Sequence, residues 1–121
     1  MTEREGVIKY SLDFTDGALG EPASLGVLDA WRSIFKDTGL LGEDPDRYGG
    51  YGFGNLSVRT ARGFLITGSQ TGNLASTSSS HYAEVVGWSL EDNAVSAIGP
   101  IRPSSEALTH AAIYDAFESI R

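Results

Sequence analysis

The chain has 121 residues, 40% of them hydrophobic, with 16 acidic against 9 basic side chains and a formal charge of −7. That length holds one domain with a modest core, and the hydrophobic share argues against whole-chain disorder. Lys9 and Lys36 are the only lysines and the arginines are scattered, which excludes a phosphate-tracking nucleic-acid surface; without cysteine there is no disulfide, thiol nucleophile or thiolate metal site.

Residues 1–5 lack the positive start and apolar run of a signal peptide. No stretch approaches the roughly 20 apolar residues of a membrane span. These features lead to the expectation of a soluble cytoplasmic protein that binds neither membrane nor nucleic acid.

From Val7 to Phe14 the residues Ile8, Tyr10, Leu12 and Phe14 alternate with Lys9, Ser11 and Asp13, the period of a half-buried strand. Thr15-Asp16-Gly17 reads as a turn. From Ser24 to Thr38, Leu25, Leu28, Trp31, Ile34 and Phe35 recur at helical spacing, with Ser24 placed to cap and Gly39 to stop the helix. The glycines are concentrated between Gly39 and Gly72, and residues 40–54 read as a loop rich in Gly, Asp and Pro. Asn55 to Thr60 and Gly63 to Thr67 read as a short hairpin, followed by a loop from Gly68 to about Ser80. Tyr82 to Leu90 and Ala94 to Ile98 form a second strand pair around Glu91-Asp92-Asn93. Beyond Pro103 comes a last helix with an apolar stripe of Leu108, Ala112, Ile113, Ala116, Phe117 and Ile120. Strand, helix, two hairpins and helix predict an α/β domain with a mainly antiparallel sheet covered by helices.

Three places carry candidate chemistry. Gly49 to Ser57 is neither a GxGxxG nor a Walker A loop, but Gly54-Asn55 at a strand entry allows close backbone approach and offers an amide donor. The same pair also suits an ordinary turn. Thr67-Gly68-Ser69-Gln70-Thr71-Gly72 follows a strand and offers hydroxyls and backbone N–H groups to an anion, or is a plain polar connection. Ser104-Ser105-Glu106 opens the last helix, where the dipole favours an anion and an acid is equally at home. His81 and His110 are the only histidines, and neither His81 with Glu84 nor Glu106 with His110 supplies the three ligands a metal usually needs.

Gly54-Asn55-Leu56-Ser57-Val58-Arg59, Phe64-Leu65-Ile66-Thr67 with Thr71-Gly72, and Pro103-Ser104-Ser105-Glu106 with His110 and Tyr114 together resemble the class II aldolase/adducin family. That family includes fuculose-phosphate aldolase, ribulose-phosphate epimerase and the adducin head domain. The resemblance covers about residues 24–121 and rests on the ordered combination more than on any one motif. It implies a three-layer αβα fold, and one domain is expected over residues 1–121. Residues 1–22 are an N-terminal strand extension outside the resemblance, whose strand is expected at an edge of the chain's own sheet or, alternatively, on another subunit's sheet edge.

It further implies that Gly54, Asn55, Thr71, Gly72, Ser104 and Ser105 surround the phosphate of a small sugar-like ligand. Glu106 would be the general acid/base of a metal-dependent, aldolase-type lyase or isomerase acting on a hydroxy-carbonyl substrate. The alternative within the family is a non-catalytic ligand-binding or protein-interaction domain of the adducin-head type.

Two departures stand out. Gly68-Ser69-Gln70 lengthen a loop that commonly reads Ile-Thr-Pro-(Ser/Thr)-Gly in the family. The His-x-His pair that begins the family's zinc ligands would fall beyond Arg121, so the divalent metal, zinc by resemblance, has no matching ligands here. The expectation is a chain inactive alone, forming a homo-oligomer or associating with a missing C-terminal half.

Overall fold

The computed structural model describes residues 7–20 and 22–121. The signal-peptide reading of residues 1–5 lies outside the described residues. In chain order come β1 (Ser11–Asp16), α1 (Leu25–Asp37), β2 (Gly42–Glu43), β3 (Gly52–Phe53), β4 (Ser57–Arg59), β5 (Phe64–Thr67), β6 (Tyr82–Ser89), β7 (Ala94–Gly99) and α2 (Ala107–Ala116). Short 3-10 turns occupy Tyr48–Gly50 and Ser79–His81.

The main sheet is mixed, in the order β1-β7-β6-β5-β4, and β2 pairs with β3 separately. Both predicted hairpins form: Val58 stands opposite Leu65 in one, and Trp88 opposite Val95 in the other. A register shift between Val85 and Gly87 interrupts β6 where it faces β7. The exception to antiparallel pairing is β1, which lies parallel to β7 with Ser11 beside Ala94 and Asp16 beside Gly99. The N-terminal strand thus begins later than its alternation predicts and ends two residues further on. It completes an edge of its own sheet.

Alternation along β5 sends its residues into two separate cores. Phe64 and Ile66 join Tyr10, Val85, Val95, Ala97, Ala107, Ala111 and Tyr114, whereas Leu65 joins Leu28 of α1 and Tyr82. Helix α1 ends in the predicted way. Gly39 takes φ +78, its N–H donates to the Lys36 carbonyl, and the Leu40 N–H reaches back to Phe35 at 2.9 Å. Ser24 occupies the N-cap position, but its hydroxyl makes no capping bond.

Two expectations are corrected. The loop over residues 40–54 contains the two-residue strands β2 and β3, too short for any alternation to register in sequence. The apolar stripe of the last helix is also different. The buried line is Ala107, Ala111 and Tyr114, while Ile113, Phe117 and Ile120 are exposed. Alanines let the helix approach the sheet closely, and Tyr114 fills what remains. The helix stops at Ala116, so Phe117 and Ile120 never share its face.

Leu28 anchors the smaller core at 3% exposure, whereas Val27 beside it is 56% exposed. Leu28→Ala is expected to cost about 2–5 kcal/mol, and Val27→Ala about 0.5 kcal/mol or less. Equal urea midpoints for the two variants would refute this packing.

Candidate functional site

The three motif segments meet at the C-terminal end of β5. Thr67 is buried there, and its N–H donates to the Leu56 carbonyl at 2.9 Å. Its hydroxyl accepts the Leu56 N–H at 3.1 Å, and its carbonyl accepts the Ser104 N–H at 3.0 Å. A bridge between Gly68 and Pro103 and a bond from the Ser69 N–H to the Arg102 carbonyl extend the junction.

The glycines are there because backbone must approach backbone. A Cβ on Gly54, which sits at φ +88, would stand 2.6 Å from the Leu40 carbonyl oxygen. One on Gly72 would stand 2.3 Å from the carbonyl oxygen of Phe53. Thr71 is buried and its hydroxyl donates to the Gly68 carbonyl at 2.9 Å, closing its own loop. That hydroxyl therefore holds the loop from within.

Ser104 and Ser105 lie in the turn before α2, and Glu106 takes the N-cap position. The Ser104 hydroxyl accepts the Glu106 N–H at 3.3 Å, and the Ser104 carbonyl accepts the Tyr10 hydroxyl at 2.9 Å. Burial, then the nearby Glu106 charge, push the Tyr10 phenol well above its ordinary range. Glu106 itself is exposed and accepts the Thr109 hydroxyl at 3.1 Å. With Ser105, Lys9, Tyr10, Asn93 and Thr109 it lines an open cleft of about 440 Å³.

Asn55 faces elsewhere. It lines a second cleft of about 210 Å³ with Ser57, His110 and Tyr114. Gly54, Thr71, Gly72 and Ser104 line neither cleft. The predicted residues are thus linked through the backbone around Thr67, but Asn55 and Glu106 open onto different spaces.

Two features went unread in the sequence. One is a side-chain chain: His110 Nε2 lies 2.5 Å from Asn55 Oδ1, His110 Nδ1 lies 2.6 Å from Ser57 Oγ, and Ser57 Oγ lies 2.7 Å from the Tyr114 hydroxyl. All four residues belong to the segments that carry the family resemblance, and His110 and Tyr114 stand one helical turn apart, but nothing in the sequence shows that they bond to one another. Burial lowers the His110 pKa, with the Glu106 charge opposing in part. The other is Arg32, buried at 2% exposure, whose Nη2 donates to the Thr71 carbonyl at 2.7 Å. Four residues on, Lys36 grips the Leu74 carbonyl at 2.9 Å. The Arg32 Nε is buried without a partner. Its position four residues after Leu28 marked the same inward helix face.

No group of three or more His, Cys, Asp or Glu among the described residues could hold a metal ion. These residues do not fit the divalent metal that the resemblance implies. No helix among them is long and apolar enough to cross a membrane.

The model of the class II aldolase and adducin N-terminal domain matches residues 46–121, more than half of the chain. The chain belongs to this family. No curated protein and no solved structure matches it.

The buried His110 makes stability depend on pH with a definite sign. Its folded pKa lies below the ordinary 6.5, so the unfolded chain binds the proton more readily. Its contribution is complete above about pH 6.5 and is lost as pH falls toward the folded pKa. Between about pH 7.5 and about pH 5.5, the wild-type urea midpoint should therefore fall more than that of His110→Gln. Parallel pH profiles for the two proteins would contradict a buried neutral imidazole.

Proposed function

We propose that this chain contributes the ligand-binding wall of a class II aldolase-type enzyme acting on a small, phosphorylated hydroxy-carbonyl compound. We assign Gly54, Asn55, Thr71, Gly72, Ser104 and Ser105 to the anion, with Asn55 and Ser105 each opening onto one of the two clefts and the others shaping the backbone behind them. Glu106 we assign to removal of the proton from the carbon beside the carbonyl. The observation that carries this reading is the junction at Thr67, which draws all three segments to one end of β5. Backbone N–H groups and neutral hydroxyls suit a dianion, because they hold it without requiring a buried counter-charge. Glu106 at the start of α2 is exposed and reachable, as a base must be before substrate closes over it.

Family membership supports the chemistry as a class, and the substrate within that class is our reading. The two separate cores on alternate β5 residues support a three-layer αβα arrangement. The pairing of β1 with β7 supports one domain that includes the N-terminal extension. A homo-oligomer, or assembly with a further segment, would bring the ligands for a divalent metal, zinc by the family resemblance. Glu106, as we read it, moves the proton.

The test is exchange of carbon-bound hydrogen from dihydroxyacetone phosphate into heavy water, for wild type and Glu106→Gln, each assembled with the segment that brings the metal ligands. Wild type should exchange, and the variant should be slower by about a hundredfold or more. Inorganic phosphate should bind both forms with affinities within about threefold. Exchange unaffected by the substitution in that assembly would overturn Glu106 as the base.

A further inference from the structure

We infer that His110 is a positioning residue that, held by Ser57 and Tyr114, fixes the Asn55 amide with its NH₂ group facing the cleft. The site then accepts at this point only a hydrogen-bond acceptor, such as a phosphoryl, carboxylate or carbonyl oxygen. The second statement rests on the proposed role of Asn55 at the ligand.

The argument is proton accounting along the three contacts between Asn55, His110, Ser57 and Tyr114. A neutral imidazole has one donor and one acceptor nitrogen, so the chain runs in one of two directions. In the first, Tyr114 donates to Ser57 Oγ and the Ser57 hydroxyl donates to His110 Nδ1. His110 Nε2–H then donates to Asn55 Oδ1. Every hydroxyl and ring proton is used, and the unpartnered group is the Asn55 NH₂. In the second, the amide is turned so that its NH₂ donates to Nε2. His110 Nδ1–H donates to Ser57, Ser57 donates to Tyr114, and the phenol proton is left without a side-chain or backbone partner at the bottom of the cleft.

These leftovers are not equivalent. Tyr114 lines the cleft but is buried at 5% exposure, and among the described residues its hydroxyl has no partner besides Ser57. Stranding its proton leaves a largely buried donor unpaired, which folded structures avoid. Asn55 is only half-buried and lines an open cleft, so its NH₂ remains available to water or ligand. The first direction therefore holds.

A third arrangement, with imidazolium donating at both nitrogens, is opposed by desolvation of the buried ring. Phe64 packs beside that ring, with centroids 6.4 Å apart, and adds no polar partner.

The direction has a spectroscopic signature that a merely structural histidine would not require. In protein carrying isotope-labelled histidine, a long-range proton–nitrogen correlation spectrum should show His110 as the neutral Nε2–H tautomer. The Nδ1–H tautomer, or a protonated ring at neutral pH, would overturn the positioning role, and this measurement needs no substitution. Ser57→Ala should mix the two tautomers, and Ser57→Thr, which keeps the hydroxyl, should restore the wild-type spectrum.

Titration with inorganic phosphate should then shift the Asn55 side-chain NH₂ resonances. It should bind Ser57→Ala about tenfold more weakly. A correct tautomer with unmoved Asn55 resonances would refute Asn55 as a ligand contact while leaving its orientation by His110 intact.

Discussion

The arrangement of this molecule depends on the backbone and hydroxyl of Thr67. At the end of β5 it exchanges hydrogen bonds with Leu56 on one side and accepts the Ser104 N–H on the other. The residue is buried, so each of those groups would carry the full cost of an unmade bond if the segments separated. Two stretches far apart in sequence are thereby fixed relative to one another before any side chain at their tips is considered. Gly68, immediately after, keeps the junction close. A Cβ there would stand 2.6 Å from the Ile101 side chain.

Where the pattern was regular the sequence was readable. The alternation of β6 and β7 and the helical spacing of α1 predict their elements to within a residue or two, because half-buried strands and one-sided helices must sort their side chains this way. The parallel partner of β1 was not readable, since alternation shows that a strand has two faces and says nothing about which neighbour it meets. Nor was the inward face of α2. Ala107 and Ala111 are small, so a reading weighted toward large apolar residues selected Ile113 and Phe117, and these stand in solvent.

The candidate site shows the same division more sharply. Its glycines and hydroxyls were visible as residue types, and that they gather at one site was implied by the family resemblance alone. What the types could not disclose is how much of each polar group is already used. The Thr71 hydroxyl is taken by Gly68, and Ser104 by the first turn of its own helix approach. Ser57, His110 and Tyr114 spend their polar atoms on one another and on Asn55. Such allocation is a property of the folded geometry, and it decides which donors are left for a ligand.

Arg32 and Lys36 bear on the loop that departs most from the family's usual form. Without proline, and with Gly68-Ser69-Gln70 inserted, that loop has little of its own to stiffen it, and Gln70 sits at φ +60. Two cations one turn apart on α1 grip its carbonyls at Thr71 and Leu74. Carbonyls drawn toward α1 restrict the rotation of their peptide units, so the anchoring acts on the whole turn and not only on two oxygens. The same two charges place a local positive field beneath a loop in a chain of net charge −7. Burying Arg32 with its Nε unpartnered costs stability. On the proposed reading, that cost is offset when an anion binds above the loop, since the guanidinium then faces a charge of opposite sign through a poorly screened interior.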